Sequence, residues 1–336
     1  MVTNKNLPKL DLNITNRCNF RCTHCAFDSG IIKMPEFSLQ SLEKILRETK
    51  EFGGKRFDIT GGEPLVREDV GEIIDIGKKL GYKIELVTNG SLLTKEKLEK
   101  FRNQGLDGIA ISLDGSNAEI YNKIRGRDKA TFEKVVSNIL ETKKQGFYTK
   151  INTTIFSCNL EDSLNIVELA LKLGVDEHGL YYFTPVGRGM RSSELSVEPL
   201  KWLNFIRTKL KKYKNSEMKI SLEIPIIEKE KMKCNSGCIA NNEQSHLQIL
   251  PDGNVYPCAI LASYGKPIAN FNKCSIKDIW KNKNLWEKYW NELNSLFEKL
   301  GSYCVNFNSA FQMNNYRCGK YRFVCPLRKY ELGEME

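Results

Sequence analysis

The sequence predicts an α/β fold built around a mostly parallel sheet, and three observations lead to this prediction. Six apolar, β-branched segments alternate with helical patterns over the first half of the 336 residues. Five of the helical patterns end near a glycine, and the next apolar segment follows directly. Residues with unusual chemistry come just after these segments, where the carboxyl ends of parallel strands meet. Strands that alternate with helices need βαβ crossovers, which produce a parallel sheet.

The predicted elements follow one another at short intervals. After a first strand at Lys9–Thr15, apolar residues at helical spacing begin behind Ser38, a suitable N-cap, and the pattern ends at Gly53. The helix with the clearest apolar face is Thr131–Gln145. The other five strands are predicted at Arg56–Thr60, Lys83–Thr88, Gly108–Ser112, Thr149–Phe156 and Glu177–Phe183. Six such units form either an open doubly wound sheet or a partly closed barrel.

The pattern changes after residue 183. One more amphipathic helix is predicted at 198–212, and a lysine-rich stretch follows it. From about Lys233 the chain is rich in cysteines and in loops. We therefore predict two domains, an α/β domain at 1–215 and a small cysteine-rich domain at 216–336.

The composition excludes several classes of protein. Apolar residues make up 41% and charged residues 27%, which argues against a disordered or fibrous chain. No apolar run approaches the ~20 residues that span a bilayer, and residues 1–10 lack the apolar core of a signal peptide. We therefore expect a cytoplasmic protein without a membrane partner. The net charge of +10 is compatible with an anionic partner, but lysines spread over a solvated surface explain it more simply.

Three cysteines lie close together directly after the first predicted strand. Cys18, Cys22 and Cys25 form a C-x₃-C-x₂-C loop. In a reducing compartment this spacing favours metal binding over disulfide formation. A structural zinc ion normally takes four protein ligands, and His24, between two of the cysteines, would strain such a site. Three ligands instead favour a [4Fe–4S] cluster with one iron open to a small ligand.

Four segments taken together resemble the radical S-adenosylmethionine (SAM) superfamily, over residues 9 to about 190. The segments, in the order that the family shows, are the cysteine loop, Gly61–Pro64, Ile111–Gly115 and Ile124–Gly126. One departure is His24, because the family usually has Tyr, Phe or Trp before the third cysteine. An imidazole ring can still pack flat against a nucleobase. The resemblance implies a partial (β/α)₆ TIM-like barrel with the chemistry at the carboxyl ends of its strands.

The resemblance also implies cofactors and a reaction. The open iron of the Cys18/Cys22/Cys25 cluster chelates the methionyl group of SAM, the segment Gly61–Glu63 holds its ammonium group, and Arg125 pairs with its carboxylate. The residues implied to contact SAM are His24, Gly61, Gly62, Glu63, Ser112, Asp114 and Arg125. A donor such as flavodoxin or ferredoxin reduces the cluster. The S–C5′ bond then breaks, and a 5′-deoxyadenosyl radical abstracts hydrogen from a substrate.

The C-terminal cysteines resemble the SPASM or twitch extension, which carries auxiliary [4Fe–4S] clusters. Cys238, Cys258 and the predicted hairpin turn Pro251–Asn254 fit the first half of its pattern, with Cys234 as a further ligand. The second half, normally C-x₂-C-x₅-C-x₃-C, is not intact. The cysteines available there are Cys304, Cys318 and Cys325. One auxiliary cluster is therefore favoured over two, and a zinc ribbon is the alternative.

Cys158 follows the fifth predicted strand, at the end of the barrel where substrates bind. We hypothesise that it is a catalytic hydrogen-atom donor, because a thiol S–H bond is weak. An inert thiol is the simpler interpretation.

Three classes of function compete. The SPASM-like tail and the basic surface favour a radical enzyme that modifies a ribosomally made peptide by thioether formation, epimerisation or crosslinking. The cysteine loop begins at residue 18, however, which leaves no room for the leader-binding domain that many peptide maturases carry. The second class acts on a small molecule such as a tetrapyrrole, pterin or sugar intermediate. The third, an iron–sulfur electron carrier or a metal-stapled nucleic-acid-binding protein, conflicts with the SAM-binding segments.

Overall fold

The computed structural model describes residues 9–228, 246–264, 266–300, 321–323 and 329–332. In these ranges, thirteen strands form two sheets. The first seven strands are β1 (Lys9–Thr15), β2 (Arg56–Gly61), β3 (Lys83–Thr88), β4 (Gly108–Ser112), β5 (Tyr148–Ile155), β6 (Glu177–Tyr182) and β7 (Lys219–Glu223). The other six are β8 (Ile226–Glu228), β9 (His246–Ile249), β10 (Asn254–Tyr256), β11 (Ala269–Asn270), β12 (Tyr321–Phe323) and β13 (Lys329–Glu331).

Helices connect the first seven strands. They are α1 (Leu39–Glu51), α2 (Val70–Lys79), α3 (Lys95–Asn103), α4 (Ala118–Arg125), α5 (Lys129–Lys144), α6 (Ser163–Lys172) and α7 (Pro199–Thr208). Three more helices follow in the C-terminal part: α8 (Ala259–Tyr264), α9 (Ile276–Lys281) and α10 (Lys283–Leu300). Each helix in the described ranges is too short or too polar to cross a membrane.

The order of the strands distinguishes between the two predicted architectures. Eleven of the strands described form one sheet, in the order β11-β10-β9-β1-β2-β3-β4-β5-β6-β7-β13. From β1 to β7 the strands are parallel neighbours in chain order. A doubly wound sheet reverses its strand order at a switch point, and none occurs between β1 and β7. The fold is therefore the partial TIM-like barrel of the prediction, extended at both edges.

Most of the barrel elements agree with the sequence prediction. All six predicted strands are present, and β1, β3 and β4 have the predicted bounds. The predicted helix at 198–212 divides into α7 and a short 3₁₀ helix at Leu210–Tyr213. Strand β7 was not predicted, and it continues the barrel sheet beyond residue 215. The domain boundary near that residue stays a prediction.

The predicted hairpin after residue 246 is confirmed, and it joins the barrel directly. Ile249 pairs with Val255 across the hairpin, while β9 lies parallel to β1. Asp252 accepts a hydrogen bond from the backbone N–H of Asn254, a turn geometry that aspartate favours. Gly253 has φ +87°, a left-handed conformation that suits glycine. The hairpin thereby fixes the start of the C-terminal segment to the first strand of the barrel.

A buried ion pair joins β5 and β6. Lys150 Nζ lies 2.6 Å from Glu177 Oε1, and Ser221 and Tyr148 also donate hydrogen bonds to this carboxylate. Burial alone would raise the pKa of Glu177, but the charge of Lys150 and the hydrogen bonds lower it to about 2. Because this pKa lies below its ordinary value of 4.5, the pair stabilises the fold above pH 4.5. That contribution is lost as the pH falls towards 2.

This ion pair leads to a prediction about acid stability. We expect Lys150→Met to lower the free energy of unfolding at pH 7 by about 1–3 kcal/mol, because the buried carboxylate loses its partner. Urea unfolding between pH 7 and pH 3 should also show a weaker loss of stability in this variant than in the native chain. Lys129→Met removes an exposed pair with Glu133 and should change little. An equally steep acid loss in Lys150→Met would contradict the assignment.

Candidate active site

A cavity of about 310 Å³ lies at the carboxyl edge of the barrel strands. Its walls come from the segment after β1, from the ends of β2 to β6, and from α4. It brings together most of the predicted site residues, which are Cys18, Cys22, His24, Cys25, Gly61, Gly62, Ser112 and Arg125. Glu63, Asp114 and Cys158 do not line it. The cysteines and the segments that the resemblance assigns to SAM thus meet in one place, although more than a hundred residues separate Cys18 from Arg125 in sequence.

Hydrogen-bond donors surround the three cysteine sulfurs. The backbone N–H of Phe20 donates to Cys18 Sγ and that of Ser29 donates to Cys25 Sγ, each at 3.3 Å. Arg125 Nη1 lies 3.8 Å from Cys22 Sγ. Burial raises the pKa of the Cys18 thiol to about 11, because a buried thiolate loses its hydration. The hydrogen-bond donors act in the opposite direction to burial, because they stabilise the thiolate, which is the form of cysteine that binds metal.

The donor set fits a three-cysteine [4Fe–4S] cluster better than a single ion. Within the described ranges, no three His, Cys, Asp or Glu side chains converge closely enough to ligate one ion. A tetrahedral zinc site requires such convergence. In a cubane cluster each cysteine binds a different iron, so three thiolates around one cavity wall are suitable.

The end of β2 packs tightly against the cysteine loop. Gly61 has φ +148°, and a Cβ atom there would lie 2.3 Å from the carbonyl oxygen of Thr15. A Cβ atom on Gly62 would lie 2.3 Å from the carbonyl oxygen of Arg17 and 3.0 Å from Cys18 Cβ. Only glycine permits this approach. The two glycines therefore let the end of β2 approach the backbone of Thr15 and Arg17 closely, and both glycines also line the cavity.

Glu63 is fully buried and fixes the strand ends to one another. Its carboxylate accepts hydrogen bonds from Thr88 Oγ1 at 2.6 Å, from the backbone N–H of Asn89 at 2.7 Å and from that of Leu65 at 3.1 Å. The side chain of Asn89 in turn donates to Asn19 in the cysteine loop. The side chain of Glu63 thereby connects β2, β3 and the cysteine loop, and the SAM contact that the resemblance implies for its segment stays a prediction.

Arg125 and Asp114 form a buried pair beside Cys22. Helix α4 begins after Asn117, whose side chain accepts from the backbone of Ile120, and it ends at Gly126 with φ +65°. Arg125 Nε donates to Asp114 Oδ2 at 2.6 Å. Burial alone would lower the pKa of Arg125, but the negative charge of Asp114 raises it, so the guanidinium is cationic. Asp114 therefore orients Arg125 from behind the cavity wall.

His24 lies against aromatic rings at one side of the cavity. Its ring centroid is 5.2 Å from that of Phe156, which is 4.7 Å from Phe183. Burial lowers the pKa of His24 to about 4, so the ring is neutral near pH 7. Its buried Nδ1 has no hydrogen-bond partner among the described residues. A neutral ring with a free polar atom suits contact with a nucleobase.

Sequence reasoning assigned no definite role to Arg188, which lies after β6 and lines the cavity. Its Nε donates to the carbonyl oxygen of Cys22 at 2.7 Å, and its backbone N–H donates to that of Cys25 at 2.9 Å. Beside it, Gly187 has φ +53°, and a Cβ atom there would lie 2.2 Å from the carbonyl oxygen of Ala26. In the sequence, the glycines on either side of Arg188, Gly187 and Gly189, are the signal that could indicate this close contact.

Cys158 is not at the cavity wall. Strand β5 ends at Ile155, and the half-buried thiol packs with the apolar cluster of Ile124, Phe156 and Phe183. Burial raises the pKa of its thiol. The structure therefore does not bring it to the three cysteines, and its role as a hydrogen-atom donor stays a prediction.

The proposed auxiliary-cluster ligands are only partly described. Cys234, Cys238, Cys304, Cys318 and Cys325 lie outside the described residues. Cys258 is buried just after β10, and its Sγ accepts a hydrogen bond from the backbone N–H of Leu261 at 3.4 Å. Phe27, which lines the cavity, packs against Tyr256 and Ala262 on either side of Cys258. The cysteine loop and the C-terminal segment are thus in direct contact.

Comparisons with known proteins agree with this geometry. A family model for the radical SAM superfamily matches residues 12–170, and one for the SPASM iron–sulfur cluster-binding domain matches residues 238–306. An AdoMet-dependent heme synthase of Methanosarcina barkeri (strain Fusaro / DSM 804) is 29% identical in an alignment of 311 residues that covers 86% of this chain and 86% of the heme synthase.

Solved structures share the fold. SuiB of Streptococcus suis, bound to its precursor peptide SuiA, superimposes with a TM-score of 0.71 at 18% identity, covering 84% of this chain and 66% of SuiB. The chain thus spans about two thirds of the length of SuiB. The protein anSMEcpe with bound AdoMet gives a TM-score of 0.64 at 18% identity, covering 83% of this chain and 82% of that one.

These matches cover both parts of the chain, and they imply iron–sulfur clusters and SAM as cofactors. The proteins of the matched superfamily are enzymes. The chain carries a radical SAM superfamily domain at residues 12–170 and a SPASM iron–sulfur cluster-binding domain at residues 238–306.

Proposed function

We propose that the chain cleaves SAM reductively in the cavity and abstracts a hydrogen atom from a substrate at its mouth. One observation carries this proposal: Cys18, Cys22 and Cys25 line the same cavity as the glycine end of β2 and the guanidinium of Arg125. A cluster held by the cysteines therefore lies beside groups that can bind an amino acid ammonium and carboxylate.

The cofactors supply the difficult chemistry and the protein supplies orientation. When bound, a [4Fe–4S] cluster and SAM supply a one-electron cleavage of the S–C5′ bond that releases a 5′-deoxyadenosyl radical. The backbone carbonyls near Gly61 and Gly62 would accept hydrogen bonds from the methionyl ammonium. Arg125, oriented by Asp114, would donate to the carboxylate. His24 would pack against the adenine ring, and the apolar residues Phe156 and Phe183 behind it would exclude water.

We propose a ribosomally made peptide as the substrate. A cavity of about 310 Å³ is at the small end of ligand pockets, and bound SAM would fill most of it. The substrate must therefore present one small group at the mouth, as an extended peptide presents a side chain. The net charge of +10 also suits an acidic peptide.

A propionate-bearing tetrapyrrole is the second candidate. The observation that favours it is the 29% identity to a heme synthase over most of both chains. Anionic propionates would likewise suit a basic surface, so charge does not separate the two candidates.

Deuterium transfer distinguishes them. The reconstituted protein would be incubated with SAM, dithionite and either deuterated synthetic peptides from small open reading frames beside the gene or a deuterated tetrapyrrole. We expect deuterium in 5′-deoxyadenosine from the peptide only, measured by mass spectrometry. Transfer from the tetrapyrrole alone would establish the second candidate, and transfer from neither would contradict both.

The cysteine pattern also predicts the iron content. We expect anaerobically reconstituted protein to bind about eight irons per chain, four in the cavity cluster and four in one auxiliary cluster. Iron analysis together with Mössbauer spectroscopy measures this number. A value near four would remove the auxiliary cluster, and a value near twelve would require two of them.

A further inference from the structure

Arg188 connects the end of β6 to the cysteine loop through two hydrogen bonds to backbone carbonyls. Its Nε binds the carbonyl of Cys22, and its backbone N–H binds that of Cys25. These carbonyls belong to two of the three predicted cluster ligands, 166 and 163 residues away in sequence. The guanidinium is therefore held beside the loop and cannot turn freely into solvent.

The charge of this guanidinium is only weakly compensated by protein. Its Nη1 is buried and has no hydrogen-bond partner among the described residues. Among the described side chains, a single carboxylate approaches it, with Asp28 Oδ1 at 3.7 Å from Nη1, and only 12% of the Arg188 side chain is exposed. A desolvated cation acts strongly on nearby charge, because the surrounding dielectric constant is low. The group whose charge would change in this cavity is the proposed redox cluster.

We propose that Arg188 is a positioning residue whose fixed cation stabilises the reduced form of the cavity cluster. The inference rests on the proposed function, because it requires a cluster on Cys18, Cys22 and Cys25. Reduction adds one negative charge, and a cation nearby favours the state with the greater negative charge. Arg125 beside Cys22 acts in the same direction and is unchanged in the test.

The test compares three variants after anaerobic reconstitution. Arg188→Gln removes the cation. Arg188→Lys keeps a cation but replaces the guanidinium that donates to the carbonyl of Cys22 with an ammonium group. Arg191→Gln removes an exposed charge from the same segment. All proteins are equilibrated at the same fixed potential, close to the midpoint potential of the native cavity cluster. The reduced cavity cluster is then quantified by electron paramagnetic resonance, with the signal that changes on SAM addition assigned to this cluster. Binding of SAM is measured in parallel.

In Arg188→Gln, we expect the ratio of reduced to oxidised cluster to fall about tenfold, equivalent to about 59 mV for a one-electron couple. Arg188→Lys should remain within about threefold of native, and Arg191→Gln should match native. An unchanged ratio in Arg188→Gln would overturn the inference, including the case in which only SAM binding weakens. If Arg188→Gln does not bind its cavity cluster, the result for Arg188→Lys decides. A tenfold fall in the ratio of reduced to oxidised cluster in Arg188→Lys would also overturn the inference. Failure of the native protein to load the cavity cluster would instead contradict the proposed function.

Discussion

Replacement of Cys18, Cys22 and Cys25 together by alanine is expected to abolish the formation of 5′-deoxyadenosine from SAM. The three side chains line one cavity, and among the described residues there that cavity contains no further cysteine. The cluster would therefore lose all of its protein ligands. The bound iron should fall by about half, from about eight to about four per chain, because the auxiliary cluster keeps its own cysteines. Product analysis after reduction with dithionite, combined with iron analysis, measures both effects.

The matched control removes cysteines that lie away from the cavity. Cys158 and Cys274 are both half-buried, and Cys274 donates a hydrogen bond to the carbonyl of Asn270. The double variant Cys158→Ala/Cys274→Ala should keep the full iron content and cleave SAM. Persistent 5′-deoxyadenosine in the triple variant would show that the radical is generated elsewhere.

The second large effect is on folding. Arg125→Met leaves the fully buried carboxylate of Asp114 without its cation. The remaining hydrogen bond, from the backbone N–H of Thr154 at 2.8 Å, cannot compensate this charge. We expect the free energy of unfolding of the metal-free chain to fall by about 3–5 kcal/mol, the usual cost of breaking a buried pair from one side. Urea unfolding at pH 7 measures this free energy. The metal-free chain is used because it has no cluster to bind SAM, so an effect of Arg125 on SAM binding does not contribute.

Removal of both charges is the control for this prediction. Asp114→Asn/Arg125→Met leaves no uncompensated buried charge, so it should recover most of the lost stability. A double variant as unstable as Arg125→Met would assign the loss to packing of the arginine side chain. A single variant as stable as the native chain would contradict the buried pair altogether.

The features that sequence predicted well depend on local patterns. A strand such as Lys83–Thr88 carries its own β-branched residues and has a glycine close to each end. Once the parallel strands are predicted, Gly61 and Ser112 lie together at the carboxyl edge of the sheet, because each ends a strand. Strand β7 was missed although Lys219, Ser221 and Glu223 alternate with apolar residues as in a strand, because this short segment lies inside a lysine-rich stretch. Its assignment to the sheet depends on pairing with β6, which no local pattern reports.

The features that sequence missed depend on contacts between distant segments. The resemblance implies SAM contacts for Glu63 and Asp114, and these contacts stay predictions. In the structure the two side chains do not line the cavity, and they bind Asn89 and Arg125. Arg188 reaches the carbonyl of Cys22 across 166 residues of sequence. Motifs identify which residues surround a cofactor. They do not separate the residues that touch it from those that support the contacts.

The most direct test of the central claim is the reaction of SAM with the native, anaerobically reconstituted protein. After reduction with dithionite, the amounts of 5′-deoxyadenosine and methionine would be measured by liquid chromatography and mass spectrometry. We expect both to form in equal amounts, and only when iron, reductant and SAM are all present. A protein that holds its full complement of iron, binds SAM and yet forms no 5′-deoxyadenosine under reduction would contradict it.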